Sequence, residues 1–143
     1  MKLSTKTEYG IRAILEIAKG NGQPLNLKTI AQRHNISTKY LEQLMAMLKS
    51  AGFIRSIRGP KGGYILAKPP KNIIIADVFK TLEGPIATAE CLSNKDYCPQ
   101  VHKCVIKELW QKIQVAINNV LKSVTLQDLI DKARDKKRLT YQI

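Results

Sequence analysis

Residues 36–66, ISTKYLEQLMAMLKSAGFIRSIRGPKGGYIL, decide the fold. Ser37 can accept a hydrogen bond from the free N–H groups of a helix's first turn, so it reads as an N-cap. Tyr40, Leu41, Leu44, Met45, Met47 and Leu48 then follow along a third helix until Gly52 stops it. At Phe53 the period changes. Phe53 to Ile57 alternates as a strand, Arg58-Gly59-Pro60-Lys61-Gly62-Gly63 forms a turn-rich tip, and Tyr64 to Leu66 returns as a second strand. Upstream, the stretch Leu25 to Asn35 carries Leu27, Ile30 and Ala31 at i, i+3, i+4, with Asn26 as N-cap, and breaks at His34-Asn35-Ile36. Two helices joined by a turn of about three or four residues make a helix-turn-helix. The stretch therefore encodes a helix-turn-helix followed at once by a basic-tipped hairpin.

Working outward, residues 5 to 19 place Ile11, Ile14, Leu15 and Ala18 at helical spacing, and Tyr9, Ala13 and Ile17 widen the stripe. This predicts a largely buried first helix, closed by Gly20-Asn21-Gly22. Pro69-Pro70 marks a boundary, and Ile73 to Leu82 fits a fourth helix stopped by Glu83-Gly84-Pro85. Residues 84–103 show no periodicity. From Cys104 an apolar stripe through Ile106, Leu109, Ile113, Ile117 and Val120 runs to Val124, roughly 30 Å of helix at 1.5 Å per residue, more apolar face than one small head can cover. Thr125 caps a last helix predicted over Leu126 to Ala133, and Arg134 to Arg138 form a solvated tail. The fold class is mainly α, in three parts: a DNA-binding head (1–70), a connecting helix with a cysteine-bearing loop (71–103), and a long helix with a C-terminal helix (104–143).

A chain of 143 residues suits one core or a small domain with an oligomerisation arm, which leaves little room for a second, enzymatic domain. Its 24 Lys+Arg against 11 Asp+Glu give a formal charge of +13, a balance that calls for a polyanionic partner. The excess is concentrated: residues 1–70 hold 12 basic and 3 acidic side chains, residues 71–143 hold 12 and 8. No apolar run approaches the roughly 20 residues of a membrane span, and the N-terminus lacks an unbroken apolar signal core. These features predict a cytoplasmic protein with no membrane partner. Two histidines, with no Ser/His/Asp set, paired-carboxylate signature or phosphate loop, argue against an enzyme.

A helix that reads B-DNA needs short polar side chains near its start for base edges, and cations around it for phosphates. Ser37, Thr38, Lys39, Glu42 and Gln43 lie on the N-terminal half of the third helix, mostly outside its apolar stripe. Lys28 and Arg33 on the second helix, with Lys2, Lys6 and Arg12, supply candidate phosphate contacts, whereas His34 is expected to be exposed and without a role. The tip RGPKGGY combines a rigid Pro60, glycines at 59, 62 and 63 that permit close backbone approach, and cations at Arg58 and Lys61. Such a tip suits a narrow, electronegative minor groove.

The remaining signal is Cys91-x6-Cys98-x5-Cys104. An odd count of cysteines clustered in a reducing compartment points to a metal or redox site and away from a disulfide framework. Thiolates bind zinc or iron-sulfur clusters, and the spacing is not that of a zinc knuckle. Three readings stay open on the residues alone: an iron-sulfur cluster, a zinc site completed by His102, and a metal-free thiol switch.

Taken together, MKLSTKTEYGIRAILEIA at the start, ISTKYLEQLMAMLKSAGFI, the tip RSIRGPKGGYILAK, ADVFKTLEGP and the three cysteines before a long helix resemble the IscR and NsrR group of bacterial iron-sulfur transcription regulators. The resemblance implies a winged helix-turn-helix head and a long helix that crosses to a partner subunit, giving a homodimer on a pseudo-palindromic double-stranded operator. It implies DNA contacts by Ser37, Thr38, Tyr40, Glu42, Gln43, Arg58 and the wing glycines, and a cluster, 2Fe-2S or 4Fe-4S, on Cys91, Cys98 and Cys104. Operator binding is then expected to follow iron-sulfur status, redox state or nitric oxide. Two positions depart from the pattern. Lys61 stands where glycine is frequent, and Lys107 stands where IscR-like members place a histidine three residues after the third cysteine. Glu8 matches the N-terminal carboxylate that some NsrR-like members contribute from the partner subunit, and ranks first as fourth ligand ahead of His102 or a small exogenous ligand.

Overall fold

Ser4 opens the first helix, its side chain accepting from the Thr7 N–H at 3.2 Å, so α1 runs Thr5–Lys19. The computed structural model describes residues 2–86, 89, 92, 94 and 104–142. Ala13, Ile14, Ile17 and Ala18 bury one face of α1, and the chain turns away through left-handed Asn21 and Gly22. Asn26 caps α2, Leu27–His34, and left-handed Asn35 ends it. Ser37 caps α3, Thr38–Ser50, and Gly52 at φ 83° releases the chain into the hairpin. The Asn26 and Ser37 caps fall where the sequence places them, because each is a short-range bond between a side-chain oxygen and a nearby N–H.

The hairpin pairs β1, Ile54–Ile57, antiparallel with β2, Gly63–Leu66, in the register Ile54↔Leu66 to Ile57↔Gly63. A further rung joins it to the head: Leu25 and Tyr64 exchange N–H···O bonds of 3.0 and 2.9 Å. That pairing explains why α2 begins at Leu27. Leu25 is extended because its backbone is engaged by the wing.

A 3₁₀ turn, Pro70–Asn72, leads to α4, Ile75–Glu83, then come α5, Val105–Lys122, and α6, Leu126–Gln142. Ile73 and Ile74 are extended and not helical. They bridge to the start of α6, the Ile75 N–H donating to Val124 O and the Leu126 N–H to Ile73 O. Thr125 and Asp128 cap α6 reciprocally, each side-chain oxygen accepting from the other's N–H at 3.1 and 2.9 Å. α6 continues nine residues beyond the sequence expectation, through the cationic stretch 134–138, whose side chains are exposed as expected. Lys and Arg are good helix formers, so the cationic stretch continues the helix and does not stop it. Leu126 and Ile130 of α6 join the core formed by Ile14, Leu41, Met45, Leu48, Ile54 and Val78, so the last helix packs back on the head. No described helix is long and apolar enough to cross a membrane.

Candidate nucleic-acid interface and cysteine segment

α3 buries Leu41, Leu44, Met45 and Leu48 and turns Thr38, Lys39, Glu42 and Gln43 to solvent. The exposed set combines donors and acceptors able to meet base edges with a cation able to meet phosphate. Ser37 is also exposed, but its Oγ already accepts the Tyr40 N–H at 3.2 Å, leaving its O–H free to donate. Tyr40 is half-buried. Its ring meets Tyr9 of α1 edge-on, with centroids 6.4 Å apart, and the Arg12 guanidinium lies over the Tyr9 ring, 5.6 Å from its centroid. Tyr9 thus supports the reading helix from outside it, a role that its place in an amphipathic stripe did not reveal.

Lys28 is exposed on the first turn of α2, and its N–H is held by Asn26 Oδ1 at 2.7 Å. Arg33 is engaged elsewhere: it donates to Glu16 Oε2 at 2.8 Å, while Lys19 lies 3.5 Å and His34 Nε2 3.7 Å from Oε1 of the same carboxylate. Burial works against the charge on Glu16, but the Arg33 hydrogen bond and the neighbouring Lys19 and Arg33 charges hold its carboxyl below the usual range. His34 corrects the sequence expectation. It is 19% exposed, the last residue of α2, with its Nε2 close to Glu16 of α1. An i to i+18 pairing leaves no periodic trace, so the residues alone did not signal it.

On the wing, Arg58, Gly59, Pro60 and Lys61 are exposed at the tip, and the Gly62 N–H closes the turn onto Gly59 O at 2.9 Å. The glycines divide in purpose. A Cβ on Gly62 would lie 2.1 Å from Ile57 O, and one on Gly63 2.4 Å from Leu25 O, so these two let the hairpin close and dock. Gly59, at φ 113°, has open space around it and is the glycine free for close approach to a groove.

Cys104 occupies the N-cap position of α5 as a half-exposed free thiol, and among the described residues no side-chain hydrogen bond caps the helix's first N–H groups. Those N–H groups and the positive end of the helix dipole complement an anionic thiolate-held group. Cys91, Cys98 and His102 lie outside the described residues. Among the described residues no three His, Cys, Asp or Glu side chains converge on a metal-sized site. Glu8 is exposed on the first turn of α1, and Lys107 is half-buried on the first turn of α5. Cysteine thiolates are the usual ligands of iron-sulfur clusters, and Cys104 offers one at the start of α5.

A trihelical head, a two-stranded wing and a polar face on the helix after the turn define a winged helix-turn-helix DNA-binding transcription regulator, not an enzyme. Residues 3–132 match the Rrf2 family model, described as an iron-dependent transcriptional regulator. The chain belongs to the Rrf2 family. It is 44% identical over 130 residues to the HTH-type transcriptional regulator CymR of Bacillus subtilis, covering 90% of this chain and 89% of that one. Among solved structures it resembles that of CymR, the global cysteine regulator of B. subtilis, with a TM-score of 0.79 at 43% identity over 92% of this chain and 98% of the other. It also resembles T. potens IscR, with a TM-score of 0.76 at 38% identity over 93% of this chain and 88% of the other.

Proposed function

We propose that this regulator binds its operator as a homodimer whose affinity is set by an iron-sulfur cluster on Cys91, Cys98 and Cys104, with Glu8 of the partner subunit as fourth ligand. The observation that carries the cluster reading is Cys104 at the uncapped N-terminus of α5, the last of three thiols in one segment. The dimer reading rests on α5. The helix has no buried residue, and Val105, Ile106, Leu109, Ile113 and Val120 are between 37% and 80% exposed, a stripe that a second copy of the same helix would cover. Functionally the chain divides into a reading head (1–70), a sensing segment (71–103) and a coupling arm (104–143), acting in the cytoplasm.

In this reading Thr38, Lys39, Glu42 and Gln43 reach into the major groove from α3, with Ser37 and Tyr40 fixing its start. Lys28 meets a phosphate, and Arg58, Gly59, Pro60 and Lys61 enter the adjacent minor groove, with Gly62 and Gly63 shaping the wing behind them. The cluster supplies one thing, a redox- and nitric oxide-sensitive crosslink between the chain before α5 and α5 itself. Anaerobic reconstitution of the full chain with iron and sulfide tests it: visible absorbance that depends on each of the three cysteines is expected. Protein that stays colourless overturns it.

A second reading replaces the cluster with a thiol switch or a zinc site. It is favoured by the half-exposed free thiol of Cys104 and by the 44% identity to CymR, the global cysteine regulator of B. subtilis. Metal analysis of anaerobically purified protein separates the two. Stoichiometric zinc without iron, or no metal and a disulfide formed under mild oxidation, establishes the second.

A further inference from the structure

Glu83 is the last residue of α4, and Gly84, at φ 89°, turns the chain from it into the segment that carries Cys91 and Cys98. A carboxylate in a helix's last turn is disfavoured by that helix's own dipole, so α4 does not explain it. Its surroundings do. Ser4 Oγ donates to Glu83 Oε2 at 2.5 Å, and the buried Thr7 Oγ1 donates to the same oxygen. The carboxylate is thereby seated against the first turn of α1, where the helix dipole favours negative charge. The Ser4 and Thr7 hydroxyls, chiefly, hold its carboxyl below the ordinary glutamate range against the opposing effect of desolvation, with further help from the Ser4 N–H and the charge of Lys6.

The junction is tight on both sides. Thr7 is 1% exposed, and at Gly10, one turn further along α1, an added Cβ would lie 2.5 Å from Leu82 Cδ1 on α4. The two helices are therefore closely packed at this junction. Two residues beyond Thr7, Tyr9 meets Tyr40 in the first turn of α3, next to Lys39 and two positions before Glu42. A continuous set of contacts thus leads from the residue where the cysteine-bearing segment begins to the start of the reading helix.

We propose that Glu83 is a positioning residue that couples the proximal end of the cysteine-bearing segment to the reading helix, through Ser4 and Thr7 on α1 and the Tyr9–Tyr40 contact. The coupling rests on the reading in which α3 faces DNA, and it holds whether the segment carries a cluster, zinc or a thiol switch. A displacement at residue 84 acts first on Glu83, then on the α1 start, then on the tilt of α3.

Thr7 gives a test that separates coupling from packing. Thr7→Val keeps the buried shape and removes the hydroxyl; Thr7→Ser keeps the hydroxyl and removes a methyl. Affinity is measured by fluorescence anisotropy on the duplex that the full-length wild-type protein enriches from random-sequence DNA. Coupling predicts that T7V and E83A each weaken binding on the order of tenfold, the scale of one hydrogen bond to a charged group. It predicts that the double variant is no worse than either single one, and that T7S stays within about twofold of wild type. In the free protein, E83A is expected to speed amide hydrogen exchange both over residues 5–10 and over residues 38–41. The proposal is overturned if T7S binds more weakly than T7V, if the T7V and E83A losses multiply, or if exchange at 38–41 does not change. The exchange measurement needs no DNA, so it fails independently of the reading of α3, which is sunk instead if T38A and Q43A leave the enriched sequence unchanged.

Discussion

Gly63 and Gly59 lie four residues apart in one wing tip, yet replacing them has different consequences. Gly63→Ala adds a Cβ at φ 154° that meets the Leu25 backbone, whereas Gly59→Ala, at φ 113°, meets nothing. G63A is therefore expected to destabilise the protein by about 2 kcal/mol or more, and G59A by about 1 kcal/mol from backbone strain alone. Urea unfolding of both variants checks the order. Glu16 carries the second prediction at this scale. Its carboxyl is held below the usual range in the folded state, so the stability it adds is present above the ordinary glutamate range and is lost as pH falls through the lowered folded value. E16Q is expected to cost about 1 kcal/mol at neutral pH, with the difference from wild type fading on acidification. Thermal melts over a pH series measure it, and a gap that widens toward acid sinks the assignment. Neither effect was legible in the residues. The glycine run announced a turn, but its obligatory member depends on Leu25, and the partners of Glu16 lie on another helix, where no local pattern marks them.

At the scale of elements, legibility tracks sequence distance. The helices and hairpin were readable because caps, turns and apolar periods are local, and the face of α3 that meets solvent followed from the face that packs. What escaped depends on remote partners: the Leu25–Tyr64 rung, the Ile74–Thr125 bridge and the Glu83 seat on α1. The cysteine spacing pointed to a soft-ligand site without fixing which one, since three thiols suit a cluster, zinc or a disulfide equally in composition. α5 was foreseen as a long apolar stripe, and it lies along α4 with that stripe open. Leu109→Glu with Ile113→Glu introduces two carboxylates one turn apart on the stripe, at residues 52% and 37% exposed in the single chain. Because neither side chain is in the core, the double variant is expected to keep its helical circular dichroism while sedimenting as a monomer. A variant that still sediments as a dimer places the interface elsewhere.

The whole molecule carries +13, and the head holds most of the excess. Each phosphate neutralised steepens the fall of log K with log salt by about 0.9. A cation that meets only phosphate therefore has a distinct signature: its removal lowers the slope by about 1 and leaves base preference alone. Lys28, exposed on the first turn of α2, is expected to behave this way in K28A, whereas Q43A, on the exposed face of α3, should alter base preference with the slope nearly intact. The same slope reports assembly. A dimer lays two heads on DNA, so it makes twice the phosphate contacts of one head, and half-sites near one helical turn apart must be occupied together. The L109E/I113E variant has unaltered heads but no partner, and it is expected to bind a single half-site with about half the wild-type slope. Titrations of wild type and variant across a salt series, on a full site and on an isolated half-site, decide the matter. Equal slopes on the full site mean that the heads engage DNA without being joined through α5, and the arm then serves some purpose other than setting the distance between them.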